Sequence, residues 1–199
     1  PRASHTAVWT GSEMIVWGGG AYEVEQTPNS TIYRAKDFGD GGRYDPDTDS
    51  WRPLSPVEAP SPRHWHHAVW TGSEMIVWGG DDLGTGIGPL NSGSIYDPST
   101  DSWRTIDTFD LPPAGEWSKD LFWTGSDLLL LASSDAGSVP YVGARYDLET
   151  GSWSLINMKG APAILSSQAV WNAAEMIVGD LPQFTSVSIG WHDDVNDAR

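Results

Sequence analysis

The chain has 199 residues, no cysteine, twelve tryptophans and a net charge of −16. The absence of cysteine excludes disulfides, thiolate metal ligands and a cysteine nucleophile. The negative charge makes nucleic acid and anionic membrane surfaces poor partners, and it suits cations, basic proteins or neutral polymers such as sugars. The longest strongly apolar run, Leu128 to Ala132, is far shorter than the roughly 20 residues that span a bilayer.

An eleven-residue segment occurs twice without change and twice more in altered form. Trp9–Gly19 and Trp70–Gly80 both read W-T-G-S-E-M-I-V-W-G-G, and two diverged copies begin at Trp123 and Trp171. The leading tryptophans are therefore 61, 53 and 48 residues apart. A fixed signature at a period near 50 residues is typical of repeat proteins.

The first repeat predicts a β-hairpin followed by a long connection. His5 to Trp9 and Glu13 to Gly18 read as two strands on either side of a Gly-containing turn. Both faces of Met14–Trp17 are apolar, which indicates a strand covered on both sides. Residues 21–40 form a long polar connection whose equivalents at 81–92 and 135–140 differ in length. We expect surface loops there, and loops of this kind commonly carry function.

A second hairpin follows in each repeat. Gly42–Trp51, Gly93–Trp103 and Gly143–Trp153 each read as strand, turn and strand, with Asp-Pro opening the turn in the first two copies. Each unit is thus a meander of four short strands. One such sheet cannot bury both of its faces, so the units must stack face to face.

Paired glycines after an apolar strand, then a tyrosine, then a tryptophan about seven residues on, resemble the kelch repeat, and the version here is similar to that of bacterial secreted kelch proteins. The resemblance covers residues 1 to about 180. It implies an all-β fold, a β-propeller of four-stranded antiparallel blades. The blades would be residues 5–55, 66–107, 119–157 and an incomplete one at 166–191, in which residues 185–191 could supply one more strand.

About three and a half blades are fewer than the six or seven usual in kelch rings. An open arc would expose apolar blade faces at both ends. Three explanations stay open: a piece of a longer chain, which we favour, two chains that complete one ring, or an unusually small ring.

In a propeller of this topology, the connectors between blades and the connections from second to third strand emerge at the same end. We call this end the loop face. Exposed aromatic rings beside carboxylates there suit sugar stacking or peptide capture. The candidate ligand-binding residues on it are Tyr22, Tyr33, His64, Trp65, Asp81, Asp82, Glu116 and Trp117.

Two other motifs imitate metal sites. In His64-Trp65-His66-His67, strand alternation puts His67 on the side opposite the other two imidazoles, and His66 aligns with His5 of the first repeat. Asp45 to Asp49 resembles the start of a calcium loop, but it lacks the glycine and glutamate required at positions six and twelve. We therefore predict no metal site, no cofactor and no catalytic residue.

The sequence favours a non-catalytic binding module that presents its loop face to a protein or carbohydrate ligand. The alternatives are a carbohydrate-active kelch enzyme similar to sialic acid mutarotase and a structural assembly component, whose ring is completed in a homo-oligomer or by the remainder of a longer chain. Galactose oxidase also resembles this fold, but its copper site needs a Cys–Tyr cross-link that a chain without cysteine cannot form. The resemblance to secreted proteins predicts an extracellular or periplasmic location.

Overall fold

The computed structural model describes residues 1–82, 89–108, 117–133, 142–156, 168–171 and 176–179. These ranges contain sixteen β-strands and no helix, so no described helix could span a membrane. In chain order the strands are β1 (Thr6–Trp9), β2 (Met14–Trp17), β3 (Gly20–Thr27), β4 (Ser30–Asp37), β5 (Gly41–Asp45), β6 (Ser50–Pro53), β7 (His67–Trp70), β8 (Met75–Trp78), β9 (Gly93–Asp97), β10 (Ser102–Thr105), β11 (Trp117–Trp123), β12 (Asp127–Ser133), β13 (Val142–Asp147), β14 (Ser152–Ile156), β15 (Gln168–Trp171) and β16 (Met176–Gly179).

The strands form antiparallel sheets that repeat along the chain. Blade 1 has the order β1-β2-β5-β6, blade 2 has β7-β8-β9-β10 and blade 3 has β11-β12-β13-β14. The two strands β15 and β16 begin a fourth sheet. The first strands β1, β7, β11 and β15 are neighbours in that order, so the sheets fan around a shared axis. This confirms the predicted all-β propeller of about three and a half blades; the strand predicted at residues 185–191 lies outside the described residues.

One connection differs from the prediction. The polar segment after β2 is not a loop. It forms a β-hairpin of two eight-residue strands, β3 and β4, which pair from Gly20↔Asp37 to Thr27↔Ser30. Oppositely charged side chains join its two strands, with Lys36 Nζ 3.0 Å from Glu23 Oε1 and Arg34 Nε 3.2 Å from Glu25 Oε2. Such cross-strand pairs stabilise a hairpin without an apolar core, and a pattern search for apolar strands therefore misses it.

Tryptophan rings join each blade to the one before it. The ring of Trp103 in blade 2 lies 5.7 Å from that of Trp17 in blade 1, and Trp153 in blade 3 lies 5.1 Å from Trp78 in blade 2. Two apolar clusters result, one between blades 1 and 2 and one between blades 2 and 3. The core of this protein therefore lies between sheets, as the stacking argument predicts.

The paired glycines end the second strand of blades 1 and 2 and bring the next connector close. Gly79 and Gly80 have φ of 70° and 86°, values that suit glycine because it has no Cβ. A Cβ on Gly80 would lie 2.5 Å from the carbonyl oxygen of His64. Because these glycines have no side chain, the connector between blades passes directly over the end of the second strand. This end of the strand lies at the loop face.

Candidate functional site

The loop face is organised by two equivalent backbone bridges. Ala3 pairs with Gly20 in blade 1, and His64 pairs with Asp81 in blade 2, 61 residues further on in each case. The amide of Trp65 also donates to the carbonyl of Ser4, with 3.1 Å between the atoms. The residues that precede the first strands of two neighbouring blades are therefore fixed side by side.

A cavity of about 470 Å³ opens between these segments and the base of the β3–β4 hairpin. Pockets that bind small molecules commonly have volumes of about 300–1,000 Å³. Three of the predicted ligand-binding residues, Tyr22, His64 and Trp65, share its lining with residues that the prediction left out. The full lining is Pro1, Arg2, Ala3, Ser4, Gly20, Ala21, Tyr22, His64 and Trp65.

Trp65 presents its ring to solvent from a strained backbone. Its φ is 52° and 66% of the residue is exposed. A left-handed conformation is rare for a bulky residue and costs on the order of 1–2 kcal/mol. Ser4, the equivalent residue of blade 1, has φ of 55°, so blades 1 and 2 share this conformation, whereas blade 1 has a serine where blade 2 exposes an indole. Strained residues that persist in this way cluster at functional sites.

The floor of the cavity is stiffened by a buried imidazole and a buried carboxylate. His64 Nδ1 lies 3.0 Å from Asp37 Oδ1, and both side chains are almost fully buried. Asp37 ends the β3–β4 hairpin, so the pair ties this hairpin to the connector that enters blade 2. The ring of His64 also packs against Trp65, with 4.5 Å between the centroids. Tyr22 stands opposite on β3 and is 71% exposed.

A buried arginine, Arg63, fixes the connector that enters blade 2 by hydrogen bonds to backbone carbonyls of that blade. The guanidinium of Arg63 donates through Nη1 to the carbonyls of Gly79 and Ser92, each at 2.9 Å. Burial lowers the pKa of Arg63 to about 10, and the nearby charge of Asp82 opposes that shift, so the group stays protonated at neutral pH. Arg2, its equivalent in blade 1, donates in the same way to the carbonyls of Gly18, which follows β2, and Asp40, which precedes β5.

Replacing Arg63 with alanine should lower the free energy of unfolding by about 3 kcal/mol, because buried carbonyls would lose a charged donor. Arg104→Ala is the matched control: that arginine is half exposed and bonds Glu74 at the surface, where an ion pair contributes at most about 1 kcal/mol. Urea unfolding of both variants measures the difference. Equal losses in the two variants would contradict the anchoring role of Arg63.

The other predicted site residues are more scattered. Asp81 contacts His64 through the backbone bridge, and Asp82 lies close enough to Arg63 to act on its charge. The backbone of Tyr33 pairs with Val24 further out on the hairpin. Trp117 is the first residue of β11 in blade 3, and Glu116 lies outside the described residues.

The histidines of the His64–His67 segment do not converge on one site. His64 contacts Asp37, whereas His66 Nε2 lies 2.8 Å from Thr6 Oγ1 and its ring meets Trp17 edge-on at 5.1 Å. Burial lowers the pKa of His66 to about 3, with the positive charge of Arg63 as the next cause. In the part of the chain that is described, no group of three or more His, Asp or Glu side chains is placed to hold a metal ion.

The sequence contained a signal that would have added Arg2, Ser4 and Arg63 to the site. Residues 1–5 and 62–66 both read Pro-Arg-x-x-His, so the repeat begins before the first strand. Asp37 carried no comparable signal, because no second copy of the β3–β4 hairpin exists among the described residues.

The molecule is thus a β-propeller of repeated four-stranded blades, with a ligand-sized cavity where connectors of two blades meet. Residues 1–179 match the KLHDC2/KLHL20/DRC7 Kelch-repeats domain. Since the match spans most of the chain, the chain belongs to the kelch-repeat family, as the resemblance predicted. No curated protein matches it. Kelch repeat domains are generally protein-interaction modules.

Proposed function

We propose that this chain binds a basic segment of a partner protein, and that the cavity between Tyr22 and Trp65 receives an apolar or aromatic side chain of that segment. The observation that carries the proposal is the exposed, strained Trp65 at the mouth of a 470 Å³ cavity. Aromatic rings presented at low conformational cost are the usual energetic centres of protein interfaces. We likewise propose that the protein acts in an extracellular or periplasmic location.

Charge supports a basic partner. The chain has a net charge of −16. The two arginines beneath the loop face, Arg2 and Arg63, donate hydrogen bonds from their guanidinium groups to backbone carbonyls. A positive segment would be attracted through the summed field, which raises association rates and weakens as salt increases. The cavity itself then supplies contacts that do not depend on salt.

Replacing Trp65 with glycine should separate binding from stability. Glycine accepts the left-handed backbone, so the free energy of unfolding should stay within about 1 kcal/mol of wild type. Loss of the indole should weaken binding by about tenfold or more. The measurement is selection from a displayed random peptide library, followed by titration of the selected synthetic peptides against both proteins and thermal unfolding of each.

Trp51→Ala is the matched control, because Trp51 is a comparably exposed tryptophan that does not line the cavity. It should leave peptide affinity unchanged. Selected peptides without an excess of Lys and Arg, or unchanged affinity in W65G, would contradict the proposal. Binding on a glycan array that W65G abolishes, with no peptide selected, would replace the peptide by a carbohydrate ligand.

A further inference from the structure

The connector that enters blade 2 carries two side chains that the equivalent segment of blade 1 lacks. In both segments one residue exchanges two backbone hydrogen bonds with the residue that follows the paired glycines, at 2.8 Å for Ala3 and at 2.9 and 3.0 Å for His64. The next residue is Ser4 in blade 1 and Trp65 in blade 2. Since an alanine makes the same bridge, the backbone of the connector does not require the imidazole of His64.

The carboxylate of Asp37 holds that imidazole from below the cavity. Its Oδ1 lies 3.0 Å from His64 Nδ1, and its side chain is only 2% exposed. A Cβ on Gly20 would lie 3.0 Å from the same oxygen and 3.7 Å from the Cβ of His64. The carboxylate therefore lies between the base of the β3–β4 hairpin and the imidazole. Gly20 and His64 line the cavity, whereas Asp37 does not, so a ligand in the cavity meets His64 and not Asp37.

The imidazole is in turn the ring against which Trp65 packs. The centroids of the two rings are 4.5 Å apart, at an interplanar angle of 49°. An exposed side chain that turns freely costs about two- to tenfold in affinity when a ligand immobilises it. An indole that already rests on a fixed imidazole has lost part of that freedom before the ligand arrives.

The buried pair is more than the connection between hairpin and connector requires. Phe38, the residue after Asp37, donates from its amide to the carbonyl of Gly19 at 2.8 Å, and its own carbonyl accepts from the amide of Arg63 at 3.4 Å. These backbone hydrogen bonds already join the two segments. Burying a carboxylate and an imidazole removes both groups from water at a cost in stability. What the pair adds in return is a fixed orientation of the His64 ring.

We propose that Asp37 is a positioning residue of the loop-face site. Through His64 it fixes the indole of Trp65 in the orientation that receives the bound segment, and it links that indole to the hairpin that carries Tyr22. The inference rests on the proposed function, in which Trp65 contacts the bound segment. It requires that Trp65 is ordered before any ligand binds and that this order depends on Asp37.

Nuclear magnetic relaxation of the indole N–H groups tests the ordering without a ligand. The signal of Trp65 is assigned by its loss in Trp65→Gly. Its heteronuclear Overhauser effect should fall toward that of a mobile side chain in Asp37→Ala. It should keep the wild-type value in Asp37→Asn, because the amide oxygen can still accept a hydrogen bond from His64. The indole of Trp51, which is comparably exposed but lies outside the cavity lining, should not change in either variant.

Titration of the selected peptides tests the consequence for binding. The dissociation constant should rise about two- to tenfold in Asp37→Ala and stay near the wild-type value in Asp37→Asn. Adding Asp37→Ala to Trp65→Gly should cause no further rise, because both changes remove the same contact. Glu25→Ala is the control for charge: it removes a carboxylate that forms an exposed ion pair with Arg34 on the same hairpin, and it should leave the dissociation constant within about twofold.

Three results would overturn the positioning role. They are an unchanged Trp65 Overhauser effect in Asp37→Ala, an equal loss of affinity from Asp37→Ala with and without the indole, and equal effects of Asp37→Ala and Asp37→Asn. Thermal unfolding of every variant separates these readouts from a loss of stability. Failure to select any peptide contradicts the proposed function, and the relaxation data then decide the ordering by themselves. Binding that needs Trp65 but not Asp37 contradicts the positioning role alone.

Discussion

Replacing Trp17 with alanine should lower the free energy of unfolding by about 4 kcal/mol, the largest effect we expect from any single change in the core. The side chain is completely buried and contacts both Trp103 and His66. Removing it leaves a cavity at the junction of two blades that neither rigid sheet can close, so the transfer term and the cavity term add. Guanidinium unfolding followed by circular dichroism measures the loss.

The control for this experiment is Trp65→Ala, which removes the same ring from an exposed position. Exposed substitutions rarely exceed about 1 kcal/mol. If both variants lost the same stability, tryptophans would not be acting as the joints between blades. A broadened or two-step transition in Trp17→Ala alone would show that blades 1 and 2 had become uncoupled, which agrees with the same role.

Acidification should begin to destabilise the fold through His66 at a pH above the range in which carboxylates titrate. Burial lowers its pKa to about 3 from an ordinary value of 6.5, so between these values the unfolded chain binds a proton that the folded chain does not. Its contribution is complete above about pH 6.5 and is lost as the pH falls toward 3. At about 1.4 kcal/mol per pKa unit, the loss reaches roughly 3 kcal/mol by about pH 4.

The test compares unfolding free energies of wild type and His66→Gln between about pH 7 and pH 4. The variant should be less stable at neutral pH, because its packing against Trp17 changes, but its stability should fall less on acidification. Burial also lowers the pKa of His67, which therefore leaves part of the slope in place. An identical slope in wild type and His66→Gln would contradict the argument.

The sequence predicted the blades well because their determinants are local. The Trp-Thr-Gly and Tyr-Asp hairpins carry their turn chemistry within a few residues, and their spacing repeats. At the loop face, Tyr22, His64 and Trp65, which the sequence singled out, line one cavity. Asp37, which it did not single out, reaches His64 from a hairpin whose polar strands look like a loop in the sequence. A contact between segments 27 residues apart depends on how that hairpin folds back, which no local pattern encodes.

What the sequence by itself determined is the strand pattern and its register: Met-Ile-Val-Trp forms the second strand of blade 1 and of blade 2, paired in the same way. What only the tertiary structure decided is burial. Those four residues are all buried in β8, but in β2 Met14 and Val16 remain half-buried. The physical reason is that backbone hydrogen bonds are made within one sheet, whereas removal of a side chain from water requires a second sheet. Among the described residues, blade 2 has a sheet on each side, whereas blade 1 has one only on the side that faces blade 2.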